Sequence, residues 1–507
     1  MSAAPFTFSR CLRLCLPALV VGLVLRVIVL TAIPSTYFGP DSNSYFETPR
    51  KLWTENTFGV GEKRRWLYPI LLAPLPALPV STARSVVVIQ HVIGLATVLG
   101  IGWIVGHLVS WKTLWVPVVT TLCAVWPRML WQEQEMVAET CFLGAFVLTV
   151  ALAFPYGCLR DRRRLFWFLM SAALIVALKP HGRGIWVGCL VAAALCTRCS
   201  LRSWDWKCGA AVALAIGLII TSGSTRQGNW LLLNSTLPLV DLDSPKYKEY
   251  RDALRPIVLD ARSQLDQYPW RQNNYKRAIH STNPADIDLV WASLVADKKM
   301  FPRVCADFAR KAVLAHPIEF TKLAIGKIGV AAANRQGIDC LDPATFWHDQ
   351  RETIADRWKG ERVSEMQLYY RLDEAGYDRM SEEYAKRVNP AMPFLTWIAR
   401  NFTWLQEIPL ADGRQGLRVQ WLGWLTALGF ITCLTPRRFA ATLIIWLPMF
   451  LYLGTVFAVG DSVSRYLHPV DWINLLLPAM AMDSVLAALY LLFTRSRSGL
   501  KETPLPA

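Results

Sequence analysis

RDRRRLFWFLMSAALIVALKPHGRG, residues 160–184, is the stretch on which the reading of the whole chain turns. Residues 165–178 carry no charge. Arg160, Arg162, Arg163 and Arg164 precede them, and Lys179, His181 and Arg183 follow. An uncharged apolar block between cationic ends reads as a helix crossing a bilayer, and a dense arginine cluster marks the end held in the cytoplasm. Working outward, comparable blocks recur at 14–33, 84–109, 114–128, 137–156, 184–198, 208–222, 419–434, 439–457 and 469–493. With 165–178 they make ten predicted spans.

Composition agrees. Of 507 residues, 53% are hydrophobic and only 18% charged, and the mean hydropathy is +0.28. Soluble domains sit nearer a quarter charged. Most other basic groups flanking the blocks fall in alternate loops on the side of the arginine run: Arg10 and Arg13, Lys112, Arg198, Arg202 and Lys207, Arg437 and Arg438, and the tail residues Arg495, Arg497 and Lys501. Both termini are therefore expected in the cytoplasm. The long polar segment 223–418 is nearly neutral, so most of the formal charge of +16 borders apolar blocks. That distribution argues against a nucleic-acid partner, which would concentrate charge on a polar face.

The predicted architecture is an all-α polytopic membrane protein of about ten transmembrane helices. An N-terminal membrane module (1–222) carries a first outer loop at 34–83. A mainly helical extracytoplasmic domain (223–418) is inserted between spans seven and eight. A C-terminal membrane module with a basic cytoplasmic tail (419–507) completes the chain. Within the insertion, DFARKAVLAHPIEFTKLAIGKIGVAAA (307–333) has apolar residues at helical spacing, and AMPFLTWIARNFTWL (391–405) reads as a helix on the membrane surface. Twelve cysteines are scattered along the chain, and no histidine cluster has metal-ligand spacing, so no metal site is predicted. Cys305 and Cys340 would be able to pair if the insertion faces an oxidising compartment.

Several charges sit where topology does not call for them. Asp41 lies just beyond span one, with Tyr45 one helical turn on. A carboxylate at this boundary suits a general base, and equally suits the cap of a helix beginning at Ser42. Lys63, Arg64 and Arg65 lie on the outer side against the positive-inside bias. They fit a bound anion such as a lipid phosphate, or pairing with headgroups, Glu55 or Glu62. The outer turns PRMLWQEQEMVAET (127–140), LKPHGRG (178–184) and GDSVSRYLHP (460–469) bring Arg128, Glu133, Glu135, Glu139, Lys179, His181, Arg183, Asp461, Arg465, Tyr466 and His468 to the same surface. Singly, each cation reads as snorkelling to the interface; together they point to a shared polar cavity. No nucleotide-binding loop or nucleophile elbow is present.

The ordered set resembles the GT-C superfamily of membrane glycosyltransferases, in particular bacterial relatives of protein mannosyltransferases and the lipid A aminoarabinose transferase. Asp41 looks like the family's catalytic acid. RRWLYPILLAPLPAL (64–78), which contains Tyr68, is similar to its R-x-P-x-YP-x-x-LA segment. SVVVIQHVIGLATVLGI (85–101) resembles its second span, LWQEQEMVAET (130–140) its segment ending in an acid at Glu139, and LKPHGRG and RYLHP its R/K-P and RY-x-x-P turns. The resemblance implies inverting transfer of a sugar from a polyprenyl-phosphate-linked donor to an extracytoplasmic glycan, lipid or protein. Asp41 would act as base, and Lys63, Arg64, Arg65, Lys179 and Arg465 would hold the donor phosphate. Tyr45, Tyr68, Arg128, Glu139, His181, Arg183, Tyr466 and His468 would contact substrate. No cofactor is required by that scheme, although some members use a divalent metal. The implied location is the inner (plasma) membrane, among membrane lipids, with the site facing outward. Asp41 is followed by Ser42 rather than a second acid, unlike protein mannosyltransferases. A ligase or polymerase using a pyrophosphate-linked oligosaccharide, and a transporter of lipid-linked sugar, are the competing classes.

Overall fold

The computed structural model describes residues 6–39, 42–59, 65–155, 158–197, 204–220, 232–233, 235–243, 246–267, 301–333, 338–357, 362–409, 415–459 and 464–499. The chain is mostly helical (81%). α1 (Phe8–Ala32) starts at Thr7, whose hydroxyl accepts a hydrogen bond from Arg10 N at 3.3 Å and so satisfies one of the donors a helix start leaves orphaned. Cys11, Cys15, Ala18, Gly22, Leu25, Arg26 and Val29 are buried at intervals of three and four, while Leu16, Val20, Leu23, Val24 and Val27 face outward. Small residues inside and branched residues outside are what a helix packed in lipid requires.

α2 (Ser42–Thr54) and α3 (Leu67–Leu72) lie in the first outer loop. α4 (Thr82–Leu108), α5 (Lys112–Ala124), α6 (Pro127–Gln134) and α7 (Glu139–Leu152) follow, then α8 (Arg162–Leu178), α9 (Gly182–Cys196) and α10 (Trp206–Ile220). Asp161, inside the arginine run, caps α8 by accepting from Arg164 N at 2.9 Å. α1 packs on α4 and α5, α7 on α4 and α8, and α9 on the helix Pro436–Val459. Gly184 and Gly188 make that last contact: a Cβ at Gly188 would stand 2.4 Å from Pro448 Cα, and one at Gly184 2.5 Å from Leu451 O. Glycines four apart let two backbones touch. The helices Trp421–Cys433 and Asp471–Gly499 pack together at the C-terminal end.

A helix lies at each predicted apolar block, but the count of ten spans is not reached by length and composition. Three helical stretches, Phe8–Ala32, Thr82–Leu108 and Leu467–Phe493, are long and apolar enough to cross, or four if α5 and α6 form one broken span. The remaining apolar helices have 10–17 residues, and 15 residues rise only about 22 Å against a hydrocarbon core of roughly 30 Å. The block at 114–128 is also not one straight helix. α5 and α6 meet at 45°, and the predicted turn near 128–136 is largely a helix, α6, with all eight residues buried. Pro127 lies at its first turn, where a missing N–H costs nothing.

The insertion is mainly helical, with one antiparallel hairpin of β1 (Leu405–Pro409) and β2 (Gln415–Val419). Its buried apolar side chains form two groups. Leu233, Leu237, Leu254, Val258, Val304 and Phe308 make a small separate cluster, whereas Phe346, Trp347, Tyr369, Tyr377 and Leu395 are continuous with the membrane module. The second group is tied down by hydrogen bonds from Phe38 N to Gln350 Oε1 (2.7 Å), Thr82 Oγ1 to Leu368 O (3.0 Å) and Arg387 Nη1 to Thr31 O (2.9 Å). Residues 338–357 and 362–401 thus reach Phe38, Thr82 and the end of α1. The surface helix predicted at 391–405 is Met392–Asn401; it buries Leu395 and Ile398, and the following Trp404 stacks 5.0 Å from Trp126. Cys305 and Cys340 are free thiols in different clusters, and burial pushes Cys305 up to about 12.

Candidate functional site

α6 organises the polar end of the membrane module. Its Glu133 carboxylate is clamped by Arg26 of α1, with Nε donating to Oε2 at 2.8 Å and Nη2 to Oε1 at 2.5 Å. His91 Nδ1 of α4 shares a hydrogen bond with Oε2 at 2.6 Å. A Cβ at Gly94 would overlap Glu133 Oε1, so a glycine there lets the carboxylate lie against α4. Arg26 stands six residues before the end of α1, about 9 Å below its outer end. A buried carboxylate is tolerated only when its charge and lone pairs are met, and here three elements meet them.

The same segment holds the start of the first outer loop. Gln90 Nε2 donates to Glu133 O and Glu135 O, both at 2.8 Å, and Tyr68 donates to Gln90 Oε1 at 2.8 Å. Tyr37 N donates to Gln134 O (2.7 Å), Met136 N to Tyr37 O (3.0 Å), and Ser42 Oγ to Met136 O (3.0 Å). Gln134 Nε2 reaches Ile33 O and Ser35 O at 2.8 and 2.7 Å. These bonds fix Ile33, Ser35, Tyr37 and Ser42 against 134–136. Asp41 itself, with Lys63, Arg64 and Asp461, lies outside the described residues. The backbone of Arg465 and Tyr466 belongs to a 3₁₀ turn, Ser464–Val470, and their side chains lie outside the description as well. Tyr45 is buried in α2 and meets Tyr68 edge-on at 5.2 Å.

Two further ion pairs converge from the outer turns. Lys179 donates to Glu139, so it is not an isolated cation awaiting a phosphate. Arg128 Nη1 donates to both oxygens of Asp471, at 3.0 and 3.2 Å. His468, in the turn that precedes Asp471, is 1% exposed. Its imidazole feels the charges of Glu139, Glu133, Arg128 and Lys179, yet neither ring nitrogen has a hydrogen-bond partner among the described residues. His181 and Arg183 are half-buried at the start of α9.

Arg65 behaves differently from Lys179. It is 6% exposed and spends one nitrogen, Nη1, on Leu218 O at 2.8 Å. Its Nε and Nη2 are buried without a partner among the described residues. The charge beside it is another cation, Arg183, which itself reaches Ile219 O at 3.5 Å. A buried guanidinium next to a second guanidinium is the arrangement an anion would stabilise.

Sequence reasoning placed Glu139, Lys179, Arg128, Arg65 and His468 in one cluster and missed Arg26, His91, Gln90 and Asp471 as parts of it. Arg26 carried a usable signal, as the one charge inside VVGLVLRVIVL (20–30): an ionisable residue in a span needs a partner. Among the described residues no three His, Cys, Asp or Glu side chains converge as a metal-ligand set. No family model matches the chain, and no curated protein is similar to it.

Proposed function

We propose that the protein is a membrane glycosyltransferase of GT-C type that moves a sugar from a polyprenyl-phosphate-linked donor to an extracytoplasmic glycan, lipid or protein. The observation that carries this reading is Arg65, a buried guanidinium whose Nε and Nη2 have no partner among the described residues, beside Arg183. Such a pair is suited to the phosphate that leaves with the lipid. In this scheme the shorter apolar helices also cross the membrane, tilted or thinned locally. The site then opens outward from an inner (plasma) membrane, near the level of Arg26.

The reaction would proceed by attack of an acceptor hydroxyl on the anomeric carbon, with inversion. As the new C–O bond forms, the hydroxyl proton passes to the Asp41 carboxylate and the anomeric C–O bond to phosphate breaks. The electron pair leaves on polyprenyl monophosphate, whose charge the Arg65–Arg183 pair offsets. Support for Asp41 comes from its flanks: Gly39 and Ser42 are both held, Gly39 N donating to Ser42 Oγ at 2.9 Å and Ser42 to Met136 O. Glu135 lies beside Gly39, where a Cβ would come within 3.1 Å of its Oε1. Lys179 and Glu139, as a matched pair, then shape the cavity rather than bind phosphate.

The test follows release of free polyprenyl monophosphate by purified protein given polyprenyl-phosphate sugars and candidate acceptors. Release by wild type and its loss in Asp41→Asn is the expected outcome. Release of a pyrophosphate lipid would instead identify a ligase or polymerase, and movement of intact donor across a liposome bilayer would identify a transporter.

A further inference from the structure

Two parts of the polar end carry unmet hydrogen-bonding groups, and they differ in charge. Around Arg65 the described charge is cationic on both sides of the contact. The charges that act on His468 are paired: Glu139 with Lys179, Arg128 with Asp471, and Glu133 with Arg26 and His91. A net-neutral surround offers no field to attract an anion. It does sharpen hydrogen bonding, because a buried polar group left unmet is costly. A neutral imidazole presents one donor and one acceptor, and a hydroxyl group is the common ligand that both accepts and donates.

The turn after α8 links the two places. Lys179 belongs to the surround of His468 and Arg183 to that of Arg65, and hydrogen bonds from Gly182 N to Lys179 O (3.0 Å) and Arg183 N to Pro180 O (3.3 Å) close the chain between them.

We propose that His468 reads a hydroxyl of the donor sugar while the Arg65 end holds the phosphate, so that His468 determines which sugar is accepted. This rests on the transferase reading above. It divides one donor into an anionic half and a polyol half, each met by the part of the protein with the corresponding charge.

The experiment uses the full chain in nanodiscs and measures thermal unfolding with decaprenyl phosphate, then with decaprenyl phosphates carrying mannose, glucose, galactose or arabinofuranose. Wild type should be stabilised by the bare phosphate lipid and stabilised further by at least one sugar-bearing lipid. His468→Leu should keep the first shift and lose the sugar-dependent increment, a loss of about tenfold or more in affinity. His468→Asn, which keeps a donor and an acceptor in a shorter side chain, should retain an increment but change the order of preference among the sugars. Arg65→Met should lose both shifts. An intact increment in His468→Leu would overturn the inference, as would an equal loss of both shifts there. An unchanged sugar preference in His468→Asn overturns it even if the leucine variant does not fold. If wild type responds to no lipid, the transferase reading itself falls, a result distinct from any failure of His468.

Discussion

The membrane module has two buried polar clusters, one at the start of the last helix and one near its middle, and they are finished differently. Asp483 lies twelve residues beyond Asp471, about 18 Å along that helix. Its carboxylate accepts from Ser110 N at 3.0 Å, Trp111 N at 2.9 Å and Arg438 Nη2 at 2.9 Å, so both oxygens are engaged. Arg438 in turn gives Nη1 to Ser484 Oγ at 2.7 Å. This cluster closes on itself and fastens the link between α4 and α5 to the C-terminal helix. In the other cluster, His468, Arg65, His91 and Gln132 each keep buried atoms without a partner among the described residues. A closed cluster holds elements together; a cluster with unmet groups keeps a cost that a ligand can relieve.

That contrast breaks first at Arg26. Arg26→Met removes the bidentate partner of Glu133 and leaves a buried carboxylate facing His91 alone, which should destabilise the protein by about 3–5 kcal/mol. Thermal unfolding in detergent would measure it, and an unchanged midpoint would mean that the clamp contributes nothing. Arg65→Met should do the reverse. Losing a phosphate-holding cation should lower turnover by roughly 10²–10³-fold, while removing unmet buried nitrogens leaves stability equal or higher. A less stable Arg65→Met protein would place Arg65 with the fasteners.

Asp483→Asn is the matching change in the closed cluster. It should cost about 1–3 kcal/mol of stability, with turnover per folded molecule unaltered; lost turnover in fully folded protein would extend the functional site to that cluster. The smallest effect concerns Cys340. Burial first, then the nearby acids Asp349, Glu135 and Asp339, push its thiol up to about 12. Because the thiolate is the reactive form, alkylation should keep accelerating with pH past 9 rather than level off, and Glu135→Gln should make it modestly faster at fixed pH. A plateau near 9 would show that Cys340 is not held among those groups.

Much of the architecture was legible because apolar runs and capping residues act locally. The block 165–178 is a helix with Asp161 as its cap, and helices stand at the other predicted blocks. Lengths were less legible. Helices such as Glu139–Leu152 are shorter than the apolar blocks that predict them, and this one begins at Glu139, which is engaged in the site. The site was legible as a list of charges and illegible as a set of pairs. Lys179 and Arg65 look alike in sequence, both cations in outer segments. Only the packing of α7 against α8 gives Lys179 a carboxylate, and only the approach of α3 and its preceding residues to α8 and α10 leaves Arg65 beside Arg183.

The amino-acid sequence by itself determined the helical class, the uneven distribution of charge and the outer segments where cations and acids gather, because hydropathy, capping and charge placement depend on residues near one another in the chain. Tertiary structure alone decided which of those charges cancel. Arg26 and Glu133 are 107 positions apart, and Arg128 and Asp471 are 343 apart. At such separations partner choice depends on how helices cross and how closely glycines let them approach, and that same choice leaves His468 and Arg65 with bonds still to make.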